Sequence, residues 1–115
     1  MNSDKRIFKR RHLIYYLRVF NQQDQQLLGH LVDITPEGIM LMSEAPLPVE
    51  ATYALRMDLP ADTFGKDMVE FEARALWTRP DVNPSFHDTG FQLTQVAEAD
   101  ERIIKRLITE YGFRD

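Results

Sequence analysis

The sequence predicts a mainly β domain: a six-stranded antiparallel β-barrel with one C-terminal α-helix. Three observations predict it. Short segments alternate apolar and polar residues, so they carry the period of a strand. Turn-forming residues separate them at close intervals. The last segment changes to a period near 3.6, which is that of a helix.

The elements follow in order. Residues 1–11 hold little apolar surface and four basic side chains in their last six positions, and are expected to form a flexible basic arm. On composition alone a solvated tail is the better reading. Residues 12–115 are expected to form one domain, because 115 residues suit one core and leave no room for a second. From His12 to Phe20, Leu13, Tyr15, Leu17 and Val19 share one face of a first strand, while Ile14, Tyr16 and Phe20 make the other face apolar too. Residues 21–26 are a polar turn, and Leu27 to Ile34 is the hairpin partner.

Asp33-Ile34-Thr35-Pro36-Glu37-Gly38 then interrupts the strands. Pro36 has no N–H for a ladder, and Gly38 reaches backbone angles closed to other residues. Ile39 to Ser43 is a short third strand. Thr52 to Leu59 is a fourth, with Tyr53, Leu55, Met57 and Leu59 in phase. Met68 to Arg79 is a fifth, with Val69, Phe71, Ala73, Ala75 and Trp77 in phase. Residues 80–88 read as a loop and Gly90 to Val96 as the last strand. Ile103, Ile104, Leu107, Ile108 and Tyr111 form one stripe of a helix over about 98–111, which is expected to plug or cover the barrel. Its first turns are acidic, Lys105 and Arg106 come later, and Gly112 stands at the stop.

The net charge of −4 is unevenly spread. Residues 1–18 carry six basic side chains against Asp4 alone, while residues 19–115 carry eight basic and seventeen acidic. A basic leader on an acidic body attracts phosphate groups or an acidic surface. The acidic body argues against DNA or RNA as partner, since duplex affinity needs broad cationic neutralisation. The absence of cysteine excludes disulfides, thiolate nucleophiles and cysteine-based zinc sites, and suits a cytoplasmic location. The polar, basic N-terminus is not expected to be a secretory signal, and no apolar run approaches the ~20 residues that span a bilayer.

Little in the sequence points to catalysis. His12, His30 and His87 stand apart from one another and from any helical ligand spacing, so no metal site is expected. Ser43 and Ser85 lack a surrounding nucleophile motif, and Glu70 and Glu72 sit on the polar face of a strand. No glycine-rich loop opens a helix, which argues against nucleoside triphosphate chemistry.

Two clusters remain. Arg6-Ile7-Phe8-Lys9-Arg10 has the spacing Arg-x-x-x-Arg, with Arg11 following. Asp33 to Gly38 has the spacing Asp-x-Thr-x-x-Gly. Each alone is weak, since basic arms often hold arginines four apart and the second pattern is also a serviceable turn. Together and in this order they resemble the PilZ family, whose members carry Arg-x-x-x-Arg in an N-terminal arm and Asp/Asn-x-Ser-x-x-Gly between the second and third strands. Gly90-Phe91-Gln92-Leu93 also looks like that family's last barrel strand.

The resemblance implies a PilZ-like barrel that binds the bacterial second messenger cyclic di-GMP as its ligand, needs no cofactor and catalyses no reaction. It assigns Arg6 and Arg10 to guanine and phosphate, with Arg11 assisting. A guanidinium forks onto phosphate oxygens or onto guanine O6 and N7. Asp33 is assigned to the guanine N1–H and N2–H₂ edge, and Thr35 to phosphate or base. Gly38 is assigned to close backbone approach. Thr35 replaces the family's commoner serine, keeping the hydroxyl and adding a methyl. Trp77 stays open between a core aromatic and a contact to guanine or arm, with Arg79 adding charge beside it.

The implied mechanism is a receptor whose arm folds over the barrel rim on ligand binding and presents a new face to a downstream protein partner. The protein is expected to be a monomer or homodimer without membrane insertion. One alternative is a PilZ-like interaction adaptor that does not bind nucleotide. Another, a nucleic-acid-binding barrel using Tyr15, Tyr16 and Phe20, is disfavoured by the acidic body.

Overall fold

The computed structural model describes residues 17–59 and 64–111. Six strands and one helix follow in chain order: β1 (Arg18–Asn21), β2 (Leu27–Ile34), β3 (Gly38–Ser43), β4 (Thr52–Asp58), β5 (Met68–Pro80), β6 (His87–Val96) and α1 (Glu98–Tyr111). The strands close into an antiparallel barrel in the order β1-β2-β3-β6-β5-β4, with β4 returning to β1. The expected barrel with a terminal helix is therefore the observed fold. The expected arm 1–11 and residues 12–16 of the expected first strand lie outside the described residues.

The inward faces follow the two-residue period. Val19, Leu31, Ile34, Ile39, Leu41, Leu55, Met57, Val69, Phe71, Ala73, Ala75 and Phe91 fill the barrel. Ile103, Ile104 and Leu107 of α1 join the same core, so the helix covers the barrel. Asp100 fastens it: one carboxylate oxygen accepts from Lys66 Nζ at 2.6 Å and the other from the Glu70 backbone N–H at 3.2 Å.

Strand limits depart from expectation at several places, by one residue at the ends of β1 and β4 and more visibly around the site. β3 begins at Gly38, and β5 extends to Pro80. β6 begins at His87, which shortens the expected 80–88 loop to a turn in which Asp81 N–H donates to the Phe86 carbonyl at 2.9 Å. Two strands paired to their ends leave fewer unbonded backbone groups than a long loop would.

The core reading of Trp77 does not hold. Trp77 is 38% exposed, although Val69, Phe71, Ala73 and Ala75 of the same alternation are buried. A β-bulge causes this. Ala75 pairs with Phe91 and Trp77 with Gly90, so Leu76 has no partner on β6. One extra residue reverses every later side chain. Trp77 turns outward, and Thr78 turns in to meet buried Thr89 at 3.0 Å between their hydroxyls.

A second bulge does the same to Asp33. Leu31 pairs with Leu41 and Asp33 with Met40, leaving Val32 as the extra residue. In an unbroken alternation Asp33 would share the inward face of Leu31. The bulge instead leaves it half-buried at the surface, while Ile34 returns to the core.

Candidate functional site

The two bulges open onto the same place. A cavity of about 380 Å³ lies on the outer face of the barrel along β2, β3, β6 and β5. Asp33, Thr35, Glu37 and Gly38 line it from the β2–β3 turn, and Leu76, Trp77, Gly90 and Gln92 from β5 and β6. The core residues Ile39 and Phe91 contribute to its lining. The structure thus brings together four residues singled out in the sequence: Asp33, Thr35, Gly38 and Trp77. Arg79 stands beside them, its guanidinium carbon 4.7 Å from the centre of the Trp77 ring, a cation–π distance. Arg6, Arg10 and Arg11 lie outside the described residues.

The turn is held by its own side chains. Thr35 N–H donates to the Gly38 carbonyl at 2.8 Å, and Gly38 N–H lies 3.2 Å from Thr35 Oγ1 as donor. The threonine hydroxyl is therefore engaged within the turn. Asp33 Oδ1 accepts from Ile34 N–H at 2.8 Å. Gly38 is required by the neighbouring strand: a Cβ there would lie 2.1 Å from the Phe91 carbonyl oxygen.

The electrostatics of this cavity are one-sided. Among the described residues its lining carries the carboxylates of Asp33 and Glu37 and no cation. Cationic charge stands beside the lining at Arg79, over the Trp77 ring, and at Arg74, the cross-strand partner of Gln92. Arg79 pairs across the ladder with Asp88, which is buried at 8% exposure. Burial raises the Asp88 carboxyl above its ordinary range, and a hydrogen bond with Asp81 and that residue's negative charge add to the effect; Arg79 and His87 pull the other way. Asp81 is lowered, first by the Asn83 backbone N–H at 3.1 Å and then by its bond with Asp88. Of the two carboxyls, Asp88 thus gives up its proton at the higher pH.

A pH dependence follows from Asp88. The folded state holds the Asp88 proton more tightly than the unfolded state does. That contribution to stability is complete below the unfolded carboxylate range, about pH 3.9, and is lost as pH rises through the raised folded value. Asp88→Asn keeps a donor toward Asp81 and cannot ionise. Thermal melts of the two proteins should converge in acid and separate as pH rises, with the variant ahead. A variant that falls behind with rising pH contradicts this account.

Sequence reasoning passed over Gly90, Gln92, Met40 and Leu76 as cavity residues. Gly90 and Gln92 were visible only as part of a strand phrase. All four become neighbours at the site only once strand register is known.

The PilZ domain family model matches residues 4–110. The chain belongs to the PilZ family. A PilZ domain is a binding domain, and the family is one of cyclic di-GMP receptors. The solved structure of the Bacillus subtilis inhibitor of motility MotI/DgrA is similar to this PilZ domain, with a TM-score of 0.65 at 17% identity. The likeness covers 81% of this chain and 45% of that one, so this chain spans less than half of the inhibitor's length. At that identity the likeness concerns the fold. No curated protein matches the PilZ chain in sequence. No helix among the described residues is long and apolar enough to cross a membrane, and none of their side chains group as a metal site.

Proposed function

We propose that this PilZ domain is a cytoplasmic cyclic di-GMP receptor that signals to a partner protein and carries out no covalent chemistry. One observation carries the reading: Asp33, Thr35, Gly38 and Trp77, from segments well separated in the chain, meet at one cavity. The cavity offers what a guanine needs, a carboxylate for its N1–H and N2–H₂ edge and an exposed indole for its ring. It lacks, among the described residues, the cations that two phosphates need.

Arg6, Arg10 and Arg11 are the candidates to supply them. The geometry of the described chain supports their reach. Leu31 N–H donates to the Leu17 carbonyl at 2.9 Å, and Asp33 lies two residues further along β2, about 7 Å away. The seven residues from Arg10 to Leu17 span up to about 25 Å when extended. In this mechanism the ligand's phosphates neutralise the arm, which orders across the cavity mouth. Ordering costs ~1–2 kcal/mol per residue, and charge-assisted hydrogen bonds of ~1.5–3 kcal/mol each offset part of it. The new surface is what a partner reads.

Calorimetric titration with cyclic di-GMP and cyclic di-AMP tests the reading. Wild-type protein should bind the guanine ligand and discriminate against the adenine one. Asp33→Ala should erase much of that discrimination, on the order of tenfold or more for one lost carboxylate–guanine pairing. Wild-type protein that ignores cyclic di-GMP refutes the receptor. The interaction adaptor then becomes the better reading, and the engagement of the Thr35 hydroxyl within its own turn already leans that way.

A further inference from the structure

We propose that Gly90 is a positioning residue for the ligand cavity: the side chain it lacks makes the seat on which the Trp77 indole lies. The proposal rests on the receptor reading above and deepens it by naming what holds the stacking surface in place.

Trp77 and Gly90 are direct partners on β5 and β6. A Cβ built on Gly90 would lie 2.3 Å from Trp77 Cε2, 2.5 Å from Cζ2 and 2.5 Å from Nε1. The carbon at the ring junction is nearest, and two of the three atoms bonded to it, Cζ2 and Nε1, stand at equal distance. The added atom would therefore sit over the ring plane rather than beyond its rim. The indole lies flat on the β6 backbone in the space a side chain would take, an arrangement in which an aromatic covers a cross-strand glycine.

The other strand glycines serve a different need. At Gly29 the nearest obstacle to a Cβ is the Met42 carbonyl oxygen, and at Gly38 it is that of Phe91. Both answer to backbone. At Gly90 all three nearest atoms belong to a side chain that is 38% exposed and lines the cavity. A ring at the surface is free to swing aside, so the glycine is not explained by a core that must stay packed. It is explained by an indole that must keep one orientation. Two devices then build this wall: the bulge at Leu76 turns Trp77 outward, and Gly90 fixes how its ring lies. A planar ligand group meets a surface already in place and does not have to order it, which favours binding.

Trp77 is the sole tryptophan, so its emission reports its own surroundings. The experiment uses the full chain with Gly90→Ala, Trp77→Ala and the double variant. Emission and acrylamide quenching are read on the free proteins, and cyclic di-GMP affinity by calorimetry. Gly90→Ala should shift the emission and raise quenching in free protein, and weaken the ligand at least tenfold. In the Trp77→Ala background the same change should alter affinity less than twofold, since the obstructing ring is gone. The proposal is overturned by unchanged emission and quenching in Gly90→Ala, or by an equal loss of affinity with and without the ring. If Gly90→Ala does not fold, the double variant should; if neither folds, the space serves something other than the indole and the proposal fails. A wild-type protein that ignores cyclic di-GMP sinks the receptor reading instead, while the emission data still decide whether Gly90 sets the ring.

Discussion

Alanine at position 38 is expected to cost about 3 kcal/mol of stability, at the upper end of what overpacking costs. For a domain of this size that lowers the melting temperature by roughly 10–20 °C. The new methyl group would lie 2.1 Å from the Phe91 carbonyl oxygen, which belongs to a backbone bonded into the sheet and has nowhere to yield. Relief requires β3 and β6 to part where Gly38 pairs with Gln92, and where Leu93 N–H donates to the Glu37 carbonyl at 2.9 Å. The same movement pulls the Thr35–Gly38 turn away from Trp77, so ligand affinity should fall with stability. Thermal unfolding followed by circular dichroism is the check. A melting temperature within two degrees of wild type shows that the strands accommodate the methyl group and removes this explanation of the glycine.

The second large effect is expected at Arg10. Arg10→Ala should weaken cyclic di-GMP by about a hundredfold while leaving the melting temperature of free protein near wild type. Two charge-assisted hydrogen bonds at ~1.5 kcal/mol each give that factor. The cavity lining makes the estimate reasonable: its two carboxylates oppose an anion, so the phosphates depend on cations brought to it. Calorimetry on the purified variant decides. An affinity within threefold of wild type removes Arg10 from the site.

The contrast between these two positions shows how much was legible before any coordinates. The barrel was readable because long stretches of its strands alternate between their bulges: Leu55, Met57 and Leu59 are all buried as their phase requires, and α1 spans the expected Glu98–Tyr111. Asp33, Thr35 and Gly38 were readable as a cluster because they are neighbours in the chain. Trp77 stayed open between core and site because a bulge leaves no mark on composition; Leu76 is simply one more apolar residue in an apolar strand. Gly90 was unreadable as a site residue for a related reason. Its meaning comes from the residue opposite it, and pairing across the sheet follows from register rather than from the order of residues.

Closure of the sheet also restricts how any downstream protein recognises this one. Among the described residues each of the six strands is hydrogen-bonded on two sides, the last junction being made where Val19, Phe20 and Asn21 meet Met57, Arg56 and Leu55. Among the described residues no strand stands unpaired along one side to take a foreign peptide as a seventh strand, a common mode of docking that reads main chain and tolerates many sequences. Recognition is left to side chains and turns, so single substitutions on the outer face, rather than gross changes of shape, should decide which protein listens.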